Sequence, residues 1–133
     1  MSDAAGHPHA LVIGHKDFAQ GIVSAVTAIT GRADLFRTIS NHGLDTRGIE
    51  AVVRSAIAEG VTIIFSDLPA GSTTMAARRA QRDHPEVTVV TGVSLPVLLD
   101  YAFAAPDAVD AADAAVEKGR AAMIVARGSV RAD

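Results

Sequence analysis

Three aliphatic residues, Leu11-Val12-Ile13, run into Gly14 and His15, and the pattern then changes period: Phe18, Ile22, Val26 and Ile29 recur at helical spacing. A short apolar run followed by an amphipathic helix reads as the first β-α unit of a parallel sheet. The run alone is too short to be told from a buried helical segment, so the helix behind it decides. Gly14-His15 then stands at the carboxyl end of the first strand, where open α/β sheets place their chemistry.

The alternation continues along the chain. The first helix is expected from 16 or 17 to about 30, with Gly31 as its stop and the four apolar residues above as its buried stripe. A weaker strand over 35–39 carries Arg37 in its middle, which suggests an edge with one wet side. Asn41-His42-Gly43 is a turn, and His42 reads as a solvated turn residue or as a neighbour of the site. Asp45 is placed to cap a helix with apolar positions at Ile49, Val52, Val53, Ala56 and Ile57. Val61-Thr62-Ile63-Ile64-Phe65 is the clearest strand, and its β-branched and apolar run points to burial on both faces. After Asp67, the turn Leu68-Pro69-Ala70-Gly71 leads to a helix of small residues over about 75–82, with Ser72 or Thr73 as its cap. A strand over 86–90 follows Asp83-His84-Pro85, and His84, at the opposite end of the sheet from His15, is given no function. A helix begins near Leu95-Pro96 and is closed by Pro106, and another runs over 107–118 and is ended by Gly119. Residues 122–126 form a final short strand.

The expected order is β-α-β-α-β-α-β-α-α-β, a three-layer α/β/α fold with a mostly parallel sheet. Residues 10–127 make one domain, 1–9 a disordered leader and 128–133 a fraying tail. His7-Pro8-His9 in the leader lacks the carboxylate or cysteine a metal site would add, so a disordered segment is the reading and no metal is expected.

With 133 residues the chain can bury a core without staples. That core must be aliphatic and alanine-rich, because aromatics are only 4% and there is no Trp. A net charge of -3 gives no electrostatic footprint for nucleic acid. The absence of cysteine removes disulfides, thiolate nucleophiles and cysteine zinc sites together, and fits a reducing compartment. No apolar run approaches the roughly 20 residues of a membrane helix, and residues 1–10 do not read as a signal peptide. The chain reads as cytoplasmic, with no cofactor implied.

His15 and Asp67 each end a strand. They meet only if the first and third strands are neighbours, as in a sheet of order 2-1-3-4, whose switch point is the crevice between them. An imidazole is nucleophilic near neutral pH. A carboxylate on one ring nitrogen fixes the tautomer, frees the other nitrogen and stabilises the positive charge formed on attack. Free amides around Gly71, Ser72 and Thr73, at the start of a helix, suit a phosphate. Together these parts describe a histidine that accepts a phosphoryl group and hands it on. No G-x-x-x-x-G-K-[ST] loop is present, so a donor protein with its own phosphate fits better than a nucleoside triphosphate. The plainer alternative is that Asp67 caps its own turn and His15 is incidental. Lys16 is either a cation that neutralises phosphate or a solvated residue at a helix start.

Three motifs and a tail segment, Val116-Glu117-Lys118-Gly119-Arg120, in order over roughly residues 10–127, carry a resemblance. Gly14-His15-Lys16-Asp17-Phe18-Ala19-Gln20-Gly21 resembles the G-H-G-x-F-A-x-G signature of the mannose-type enzyme IIA components of the bacterial sugar phosphotransferase system. Asp67-Leu68-Pro69-Ala70-Gly71-Ser72-Thr73 resembles that family's D-L-x-G-G-[ST]-P turn, and Gly92-Val93-Ser94-Leu95-Pro96 its G-x-N-[IL]-P helix start. Lys16, Ala70 and Thr74 depart from the pattern. The resemblance implies that His15 is phosphorylated, with Asp67 as its partner, and that phosphate arrives from the phosphocarrier protein HPr and leaves to an enzyme IIB component. It implies a homodimer in which 122–126 crosses as an antiparallel edge strand to the partner's sheet, and contact with the membrane only indirectly, through the sugar permease. Two other readings stand beside it. One is the carrier subunit of a phosphotransferase-dependent dihydroxyacetone kinase, which usually has S-H-S where this chain has Gly14-His15-Lys16. The other is a regulatory module that binds a partner without carrying phosphate.

Overall fold

The computed structural model describes residues 8–104 and 110–129. Its first strand, β1 (Ala10–Gly14), is buried at every position. Side chains alternate across a strand. Ala10 and Val12 therefore enter one core, and Leu11 and Ile13 the other. That two-sided burial is why the run is continuously apolar instead of alternating. Helix α1 (Phe18–Thr30) follows and ends at Gly31, whose φ of 75° is the left-handed cap that glycine takes without strain. Of the expected stripe, Val26 is buried and Phe18 and Ile22 are packed, but Ile29 is 57% exposed and Val23 packs in its place.

Strand β2 (Phe36–Ser40) lies on the edge, and Arg37 turns outward to Glu59 at 2.7 Å. Helix α2 (Thr46–Ala58) is capped by the Asp45 side chain, which accepts from the Gly48 amide. Ile49, Val53, Ala56 and Ile57 are buried, while Val52 is 38% exposed. Strand β3 (Ile63–Ser66) is fully buried. Helix α3 (Ser72–Arg82) starts one turn earlier than expected, and strand β4 (Thr88–Val90) is a short edge. Helix α4 (Leu95–Phe103) has proline in its first turn, and α5 (Ala111–Ala122) packs against it.

All strand pairs are parallel, and the order is β2-β1-β3-β4. Helices α1, α4 and α5 cover one face of the sheet and α2 and α3 the other. The three layers and the 2-1-3-4 order are those expected.

At the carboxyl end one expectation fails and another is not met within the single chain. Gly119 does not end the last helix; it lies buried inside α5, against α4. A Cβ there would come 2.2 Å from Val97 Cγ2, so the glycine serves close approach of two helices and not a stop. The antiparallel edge strand over 122–126 is not formed either. Ala122 is the last residue of α5, and 123–129 pair with no strand among the described residues. A strand exists only as a hydrogen-bonded pair, and this single chain supplies none. Met123, Ile124 and Val125 are left 80%, 77% and 75% exposed. The leader at 1–7, the stop at Pro106, the helix start at 107–109 and the tail at 130–133 lie outside the described residues. His9, by contrast, is tied in: its carbonyl accepts from the Thr62 amide at 2.8 Å, and its ring meets the Tyr101 hydroxyl at 2.8 Å.

Candidate functional site

The register sets the site. β1 and β3 are neighbours, Ile13 pairs with Ser66, and their carboxyl ends finish level. Gly14 then lets the chain turn tightly into α1: a Cβ there would stand 2.6 Å from Phe18 Cδ2, so the glycine of the motif makes room for the first residue of the helix. The next residue, His15, projects at the rim.

Asp67 holds it twice. Its Oδ2 accepts the His15 backbone N–H at 2.8 Å and meets ring Nδ1 at 2.8 Å, while its Oδ1 accepts the Thr73 hydroxyl at 2.9 Å. A carboxylate can only accept, so Nδ1 carries the hydrogen and Nε2 keeps its lone pair. Nε2 has no partner among the described residues. The His15 side chain is 41% exposed, while that of Asp67 is only 9% exposed. Burial pushes the Asp67 carboxyl up. The His15 amide, the His15 ring and the Thr73 hydroxyl together outweigh that and hold it below the ordinary carboxylate value. Asp67 is therefore ionised and aimed at the imidazole across the neutral range.

The turn after β3 brings up helix α3. Its N-cap is Gly71, at φ 104°, a conformation strained for any residue with a Cβ. A Cβ at 71 would lie 3.9 Å from His15 Cε1, so the helix start abuts the ring. Neither Ser72 nor Thr73 caps the helix as expected: no side chain does. Thr73 is 1% exposed and spends its hydroxyl on Asp67, and Thr74 spends its own on the Leu68 carbonyl and Ser66. The first amides of α3 are thereby left without a capping side chain, and an uncapped helix start attracts anions. Gly71 thus stands at the ring, whereas the Thr73 side chain belongs to the carboxylate behind it.

Two residues that sequence reasoning missed complete the rim. Asn41 Oδ1 accepts the Lys16 amide at 2.9 Å, and Ser40 Oγ donates to the Lys16 carbonyl at 2.8 Å. The Asn41 amide in turn reaches the Gly14 carbonyl at 3.1 Å. Their one signal was position: a polar turn directly after the strand that flanks β1. His42 follows in that turn, exposed, with its amide on Ser40 Oγ. No group of three or more His, Cys, Asp or Glu able to hold a metal occurs among the described residues. None of their helices is long and apolar enough to cross a membrane.

Comparison with known proteins adds to this geometry. The family model described as PTS system fructose IIA component (EIIA-man) matches residues 9–119. No curated protein matches the sequence. Among solved structures, the phosphotransferase system component EIIA of Streptococcus agalactiae superposes with a TM-score of 0.79 at 14% identity, over 87% of this chain and 95% of that one. The mannose/sorbose specific IIA subunit of Enterococcus faecalis superposes at 0.77 and 19% identity, over 94% and 98%. The PTS IIA protein associated with the fucose utilization operon of Streptococcus pneumoniae does so at 0.74 and 19% identity, over 89% and 93%. At these identities the structures speak for the fold.

Proposed function

The chain belongs to the mannose- and fructose-type IIA components of the phosphotransferase system, a phosphotransferase family with a phosphoryl-carrier role in sugar uptake, and from that we propose that His15 is the residue that carries the phosphoryl group. The observation that supports it most is the bond from Asp67 Oδ2 to His15 Nδ1 at 2.8 Å, which leaves Nε2 free on a 41% exposed ring.

The donor is HPr and the acceptor an enzyme IIB component. In the first transfer the Nε2 lone pair forms a new bond to phosphorus as the bond to the donor breaks, and that electron pair leaves with the donor. The ring becomes positively charged, and Asp67 stabilises it through Nδ1–H, as a buried carboxylate does for other catalytic histidines. The phosphoryl oxygens face the start of α3, where Gly71 and the amides of Ser72 and Thr73 offer backbone N–H groups and the positive end of the helix. Transfer to the IIB component reverses the step, with His15 as the leaving group. Each passage is an exchange of one N–P or O–P bond for another, so the work of the protein is positioning and charge. The carrier itself does not touch the sugar.

The working unit is a homodimer in the cytoplasm. Met123, Ile124 and Val125 are too apolar to remain in water, and the segment after α5, from Met123 to Ala126, crosses to the partner's sheet as an antiparallel edge strand.

Incubation with phosphoenolpyruvate, enzyme I and HPr should place acid-labile phosphate on the wild-type protein and none on His15→Ala. Label that survives this substitution would falsify the assignment.

A further inference from the structure

We propose that Lys16 is a phosphate-binding residue of this carrier: a cation placed at the mouth of the site by a strained backbone, where it contacts the phosphoryl group on His15. The proposal rests on the carrier reading for the identity of the anion.

Lys16 has φ 51°, the sole positive φ of a non-glycine among the described residues. Left-handed backbone costs a side-chain-bearing residue free energy that glycine avoids, and such outliers persist only where their surroundings over-determine them. Here the surroundings do. The Lys16 amide is fixed by Asn41 Oδ1, its carbonyl by Ser40 Oγ, and the preceding carbonyl of His15 by the Phe18 amide at 3.0 Å. Ser40 is itself anchored, because its hydroxyl also accepts the His42 amide at 3.0 Å.

Only the backbone of Lys16 is engaged. The residue is exposed, and its ammonium enters no hydrogen bond or ion pair with any described residue. Arg37 and Arg54, by contrast, are both committed to carboxylates. A strained position that glycine would fill at no cost is thus occupied by a long side chain with a free positive charge, next to a histidine whose free nitrogen faces water. Asp17, the following residue, has no ion-pair partner among the described residues, so the Lys16 charge is a single cation on a fixed backbone and not part of an extensive basic surface. A phosphoryl dianion on Nε2 is the group at this rim that such a cation would attract. Charge there strengthens anion binding, and salt screens it.

The test uses inorganic phosphate as the probe, followed by the 15N shift of the His15 ring, with wild type, Lys16→Gln, Lys16→Gly and Lys16→Arg. Phosphate should bind about fivefold more weakly to the Gln and Gly variants, with a flatter salt dependence, and Arg should restore both. Lys16→Gly should also melt above wild type, since the strain is gone, while Lys16→Gln should not. Equal phosphate affinity and salt slope in wild type and Lys16→Gln overturns the proposal. So does a wild type that shows no phosphate-dependent shift. Labelling from HPr separates the two readings: label on His15 at equal rates in wild type and Lys16→Gln removes the role of Lys16 and leaves the carrier. Lys16-dependent phosphate binding without label from HPr removes the carrier and leaves the cation.

Discussion

Asp67 does three things with two oxygens. It fixes the backbone at His15, selects the ring tautomer, and is itself steadied by Thr73. Its carboxyl titrates below the ordinary value in the folded chain, so as pH falls the unfolded chain takes up the proton first. The stabilisation is therefore complete above the ordinary carboxylate range and is lost as pH drops through the folded value. Asp67→Asn should melt below wild type at neutral pH, and the gap should close below about pH 4; a gap that is constant with pH would remove the carboxylate from the account. At neutral pH the same variant should remain folded yet slow phosphoryl transfer by at least about tenfold, the worth of one charge-assisted hydrogen bond. The meeting of His15 and Asp67 was legible in the sequence, because each ends an apolar strand and the order 2-1-3-4 makes those strands adjacent. The role of Thr73 was not. A threonine at a helix start reads as a cap, and only the placed carboxylate shows that its hydroxyl has another partner.

Helix packing shows the same division. Periodicity and turn chemistry together located every helix among the described residues, α3 with its start a turn late, and Asp45 was identifiable as a cap because an aspartate before an apolar-periodic run has one obvious use. Gly119 misled for the converse reason: a glycine near the end of a helical pattern is ordinarily a stop, and nothing local reports that another helix lies 2.2 Å from its missing Cβ. Ile29 and Val52 sit on the correct faces by spacing yet remain substantially exposed, since the width of a buried stripe depends on what packs over it. Gly119→Ala should cost about 1–3 kcal/mol in chemical denaturation through overpacking against Val97. The loss should shrink when Val97→Ala is added, because the two changes share one contact. Strict additivity would show that the added methyl does not act through Val97.

For the molecule entire, the apolar strip past α5 is the feature a lone chain leaves unresolved. Wild type should sediment at twice the 13.7 kDa chain mass, and Ile124→Asp should sediment as one chain, since a charge cannot be buried unpaired in a strand interface. A wild type that stays monomeric at high concentration would rule the crossing strand out. Hydrophobicity marked these residues as a strand, yet within the described residues they join no ladder, because a strand needs a neighbour that this chain does not offer them. The middle of the sheet carries a different consequence. β1 is bonded on both sides, to β2 and to β3, and both of its faces are covered. Fraying at either margin leaves it untouched, so its amides belong with the slowest to exchange with solvent. The His15 ring follows directly on that quiet strand, so the margins of the sheet can breathe without disturbing its aim.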